Sequence, residues 1–126
     1  MPEKYLTPGS DCSESDRDHA RELLARLGLE AVASAPLGGL AEAEKRLVLL
    51  GRALVGSPRL LLLDEPCLGL DAARAARVGG TVDAMVAREG ASLIYVTHDW
   101  SELPRCISHV LELDRGRVVQ AVRLIR

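Results

Sequence analysis

Phenylalanine is missing from this 126-residue sequence, and Tyr5, Tyr95 and Trp100 are its only aromatic residues. Because 48% of the residues are nonetheless hydrophobic, Leu, Val and Ala must fill the interior, a composition that suits helices packed on a buried sheet. No apolar run reaches the ~20 residues needed to span a bilayer. The first residues also lack a basic segment followed by an apolar one, so a soluble cytoplasmic protein is the expectation. Cys12, Cys67 and Cys106 are odd in number and contain no C-x-x-C pair, which argues against a disulfide framework or a zinc site. The formal charge of -2 supplies no broad positive field, so nucleic acid is not an expected partner. A chain of this length builds one core, burying roughly two thirds of its unfolded surface.

Residues 1–15 mix Pro, Gly, Ser and acids without periodicity and read as a loop or disordered end. A helical region is expected over residues 16–58. Ser15 is placed to cap its first helix, whose stripe of Leu23, Leu24 and Leu27 ends at Gly28. Pro36, Gly38 and Gly39 separate it from a second helix, from about Ala41 to Val55, with Leu47, Leu50, Ala53 and Leu54 at helical spacing. An α/β segment should occupy residues 59–126. Leu60 to Leu63, apolar at every position, predict a strand buried on both faces of a parallel sheet. Helical text from Ala72 to Glu89, weakened by Gly79 and Gly80, leads to a second buried strand at 92–97. The remainder alternates around Gly116 as a β-hairpin.

The leucine run ends in Asp64 and Glu65, two carboxylates at the C-terminal edge of a strand, where open parallel sheets place their ligands. Such a pair can hold a magnesium ion bound to phosphates and polarise an attacking water; two acids can equally end a strand and cap the next segment. His98 closes the following strand, where an imidazole can donate to a phosphate oxygen or serve a purely structural bond. His19 and His109 have no evident partner and read as surface residues.

The run Leu-Leu-Leu-Leu-Asp-Glu-Pro at 60–66, then Leu-Gly-Leu-Asp at 68–71 and Tyr-Val-Thr-His at 95–98, resembles three consecutive motifs of the ATP-binding-cassette (ABC) ATPases: the Walker B strand, the D-loop and the switch histidine. The likeness extends over residues 16–120, and within the family it looks nearest to the molybdenum-linked proteins of the ModF or photorepressor type. It implies the C-terminal half of a P-loop ATPase cassette: parallel strands with crossover helices, a helical N-terminal segment and a terminal hairpin. By resemblance, Asp64 would serve the magnesium shell, Glu65 would orient water, His98 would sense the γ-phosphate and Asp71 would communicate across a dimer. ATP and Mg2+ would be the cofactors of the complete domain.

The sequence departs from the family at two places. No G-x-x-x-x-G-K-[ST] loop is present, the only lysines being Lys4 and Lys45, and the sole glutamine is Gln120, so the main phosphate grip is absent. The family's Leu-Ser-Gly-Gly-Gln signature falls on Leu40 to Glu44, with Ala41 for its serine and Ala43 for a glycine, and Glu42 and Glu44 would repel a phosphate. The expectation is thus a piece of an ATP-hydrolysing transport subunit, inactive alone; a non-enzymatic or regulatory module paired with an intact ABC ATPase chain is the alternative. Uncovered sheet surface should drive association with itself, such a chain or a membrane permease.

Overall fold

The computed structural model describes residues 12–125. Helix α1 spans Glu14–Arg26. Its cap is Ser13 rather than the expected Ser15: the Asp16 N–H donates to Ser13 Oγ at 3.1 Å, and the Ser13 N–H donates to the Asp16 carboxylate at 3.0 Å. That reciprocal pair needs an acid three residues on. Asp18, the acid that would serve Ser15, binds Arg21 instead at 3.2 Å. The loop expected over residues 1–15 therefore lies mostly outside the described residues, and its last two belong to α1. The helix gives way at Gly28, whose φ of 73° is the left-handed turn that a residue without Cβ makes readily.

Helix α2 spans Glu42–Leu54 and buries Leu47, Leu50, Gly51 and Leu54. Ala53, expected on this stripe, is exposed. Gly51 takes the inward position because the helices approach closely there: a Cβ on Gly51 would lie 3.2 Å from Leu27 Cδ1. Helix α3 spans Ala72–Glu89 and runs unbroken through Gly79 and Gly80. Each glycine weakens a helix by about 1 kcal/mol relative to alanine. Burial of Val78 and Val82 on either side of the pair offsets that penalty.

Strands β1 (Leu60–Asp64) and β2 (Ser92–Val96) pair in parallel around α3, from Leu60 against Ser92 to Asp64 against Val96. The expectation that both are buried on two faces is corrected. Leu61 and Leu63 are 3% and 7% exposed, but Leu60 and Leu62 are 52% and 63% exposed. On β2, Leu93 and Tyr95 pack toward the core while Ile94 and Val96 face outward. The cause is the layer count: one core cluster joins all three helices to the Leu61 and Leu63 face, and among the described residues the sheet has two strands. The expected hairpin is present as β3 (His109–Asp114) and β4 (Arg117–Arg123). Arg115 and Gly116 both have positive φ, 48° and 74°, the turn that matches the twist of a two-residue hairpin.

The one-sided core sets two substitutions apart. Leu54→Ala, at a fully buried position, should lower unfolding free energy by about 2–5 kcal/mol. Leu62→Ala should stay within about 0.5 kcal/mol of the parent. Urea denaturation of both variants is the check.

Candidate functional site

The site begins with register. Because β1 and β2 end level, the Glu65 N–H donates to the Val96 carbonyl at 2.8 Å. The chain then turns sharply at Glu65, whose φ of 47° lies in the left-handed region, a conformation costing a non-glycine residue about 1–2 kcal/mol. The surroundings hold it there. Its carbonyl accepts from Arg46 Nη1 at 3.2 Å and from the Leu68 N–H at 3.1 Å, so α2, β1 and β2 all grip this one residue.

His98, two residues beyond the end of β2, reaches the same carboxylate, its Nδ1 lying 2.8 Å from Glu65 Oε1. An ionised carboxylate only accepts, so the ring nitrogen is the donor. The hydrogen bond to Glu65, reinforced by that group's negative charge, raises the His98 pKa above the ordinary histidine value. With Nδ1 engaged, Nε2 is left to accept a bond when the ring is neutral and to donate one when it is protonated. The other carboxylate oxygen, Glu65 Oε2, is buried without a hydrogen-bond partner. Such a group costs about 1–3 kcal/mol and calls for a donor such as a bound water.

Neighbouring groups support this geometry. Thr97 Oγ1 donates to Glu102 at 3.0 Å and accepts from the Asp99 N–H at 3.0 Å. The Ser101 hydroxyl and backbone N–H bind Asp99 and hold its carboxyl below the usual range. Behind the strands, Cys67 Sγ lies 3.3 Å from the Tyr95 hydroxyl. Burial pushes the Cys67 thiol and the Tyr95 phenol upward, so both stay protonated and Cys67 is unsuited to nucleophilic chemistry.

The other expected residues lie outside that bond. Asp64 is exposed at the end of β1 and lines a cleft of about 500 Å3 together with Lys45 and Arg46. Asp71 caps α3, accepting from the Arg74 N–H at 2.9 Å. Ala41 caps α2 without a side-chain acceptor, and Glu44 closes that end by accepting from the Ala41 N–H at 3.0 Å. Ala43 lies in the first turn of the same helix. Among the described residues, the dyad's side-chain bond joins Glu65 and His98 and none of the other four. Arg46 is the residue that sequence reasoning missed, since a cation within a charged helix face carries no local sign of a contact 19 positions away. His19 is also corrected: it is half-buried, and its Nε2 lies 3.2 Å from the Val55 carbonyl.

The raised His98 pKa has a defined sign. Its contribution to stability is fully present below the ordinary histidine value of ~6.5 and is lost as pH rises through the higher folded-state midpoint. In Glu65→Gln, the His98 midpoint followed by NMR should fall toward ~6.5. An unchanged midpoint would show that the dyad does not form in solution.

The sequence model of the family described as ABC transporter matches residues 3–68, more than half of the chain. A lipoprotein-releasing system ATP-binding protein from Caulobacter vibrioides is 38% identical over 116 residues, covering 92% of this chain and 49% of that protein. A molybdenum import ATP-binding protein from Rhizobium etli is 36% identical over 115 residues, covering 91% of this chain and 31% of that protein. The chain thus spans at most about half the length of these relatives, and molybdenum is one of several transport types among them. Of the solved structures, a dimeric bacterial ABC transporter cassette superposes with a TM-score of 0.81 at 25% identity, covering 95% of this chain and 52% of that one. Sequence and fold agree that this chain belongs to the ABC transporter family.

Proposed function

We propose that this chain supplies the acidic half of an ATP-hydrolysing site in a transport ATPase and does not turn over ATP on its own. The observation that carries the reading is the 2.8 Å bond between Glu65 and His98, with the second Glu65 oxygen buried and unpartnered. In this reading Glu65 orients the attacking water through that oxygen. His98, its proton affinity raised by Glu65, donates from Nε2 to the γ-phosphate. Asp71, at the start of α3, communicates with a second cassette.

The donor set fits a phosphate-bound magnesium ion. Asp64 presents an exposed carboxylate at the strand end, a hard oxygen donor that suits a cation whose remaining ligands are phosphate oxygens and waters. When bound, the ion neutralises phosphate charge; the chain's own part is to hold Asp64, Glu65 and His98 at one sheet edge. No described helix is long and apolar enough to cross a membrane. The reading places the protein in the cytoplasm, against a membrane permease.

A second reading, a non-enzymatic module paired with an intact ABC ATPase, is supported by the start of α2. There Ala41 offers no hydroxyl to a phosphate, and Glu42 and Glu44 add negative charge to the first turn. Restoring a cap with Ala41→Ser should raise stability by about 1 kcal/mol in urea denaturation.

Phosphate release separates the two. The purified chain alone is expected to release none from Mg-ATP, and turnover that Glu65→Gln removes would overturn that. Joined to the portion of a relative that it does not match, the chain should hydrolyse ATP. Glu65→Gln should then lower the rate about 10²–10⁴-fold; an equal rate in that variant excludes Glu65 from the chemistry.

A further inference from the structure

Packing does not hold His98 on Glu65. The His98 side chain is 73% exposed, and an unpacked side chain keeps its rotamer freedom unless the backbone beneath it is fixed. Here the fixing begins at Thr97. Continuing the alternation of Leu93 and Tyr95, Thr97 is half-buried, whereas His98 stands exposed beside it. The Thr97 hydroxyl has one proton and two acceptors within reach, Glu102 Oε2 at 3.0 Å and the Asp99 carbonyl at 3.4 Å. The shorter bond, to an ionised group, takes the proton. The Thr97 oxygen then accepts from the Asp99 N–H at 3.0 Å, closing a turn around His98. Donating to a carboxylate makes a hydroxyl oxygen the better acceptor, so Glu102 sets the direction of this chain of bonds. Glu102 is itself fixed. Its N–H donates to the Asp99 carbonyl at 3.2 Å, and the Asp99 carboxylate accepts from the Ser101 hydroxyl and N–H at 2.7 and 2.8 Å. Residues 97–102 thus form a closed circuit of hydrogen bonds from which His98 projects.

We infer that Glu102 is a positioning residue for His98, fixing through the Thr97 hydroxyl the turn that keeps the imidazole on Glu65. The inference rests on the function proposed above, in which that imidazole presents Nε2 to a phosphate. Glu102 acts through Thr97, with which it shares its side-chain bond. Its charge also reaches the ring, together with those of Glu65 and Asp99. A test must therefore separate the bond from the charge, and two pairs of variants do so. Glu102→Gln keeps an acceptor oxygen and loses the charge, while Glu102→Ala loses both. Thr97→Ser keeps the hydroxyl, while Thr97→Val removes it at constant shape and leaves every charge in place.

The readout is the nitrogen of the neutral His98 ring that carries the proton, followed by nitrogen-15 NMR of the full chain at a pH above the His98 midpoint. In the parent the Nδ1–H form should predominate, because Glu65 accepts from Nδ1. Glu102→Ala and Thr97→Val should lower the ratio of Nδ1–H to Nε2–H by about 10-fold, the effect of losing one charge-assisted bond. Glu102→Gln and Thr97→Ser should stay within about 3-fold of the parent, since a neutral bond remains in one and the hydroxyl in the other. A ratio in Glu102→Ala equal to that of the parent overturns the inference, as does a parent without an excess of Nδ1–H. A fall in Glu102→Gln as large as in Glu102→Ala assigns the effect to charge and overturns it too. So does a fall in Thr97→Ser matching that in Thr97→Val. Failure of the functional reading looks different: the ring ratios follow this pattern, but Glu65→Gln leaves ATP hydrolysis by the joined protein unchanged.

Discussion

The level ending of two parallel strands is the constraint on which the site depends. Once Asp64 stands beside Val96, the Glu65 N–H finds the Val96 carbonyl, and the chain leaving β2 carries His98 to the Glu65 carboxylate. A slip of one residue would exchange the two faces of a strand and move Leu61 and Leu63 out of the core. The leucines that bury α2 and α3 against β1 therefore also protect the geometry of a carboxylate on the rim.

The strain at Glu65 follows from that arrangement. A residue in a left-handed conformation persists only where its surroundings over-determine it, and here three elements hold its backbone at both ends. A buried carboxylate oxygen without a donor adds a second unfavourable term at the same residue. Two such costs on one residue are common where chemistry rather than stability sets the requirement. The cap of α2 at Ala41 is different in kind: it has no side-chain oxygen to offer, and the Glu44 carboxylate closes that end by accepting from the Ala41 N–H.

Much of this was legible in the residues. Periodicity placed α1 and α2 within two residues, and the Asp64–Glu65 pair after four leucines pointed to the strand edge that bears the dyad. Periodicity failed where the answer lay in tertiary packing. A leucine run has the same composition whether one face or both is covered, so it could not announce that Leu60 and Leu62 stay in solvent. Ser13 displaced Ser15 as the cap although each has an acid three residues on, because Asp16 closes back on Ser13 while Asp18 binds Arg21. Arg46 was invisible because its partner is a main-chain carbonyl in another element. Gly51 faces inward through closeness to Leu27, which no helical wheel encodes.

The scarcity of rings has an optical consequence. Among the described residues the aromatic side chains are Tyr95, half-buried against Cys67, and Trp100, 53% exposed. The indole meets solvent over about half its surface, whereas the Tyr95 phenol is lodged in β2 against Cys67. The molecule thus carries a chromophore three residues from His98, in the strand that delivers it to the dyad.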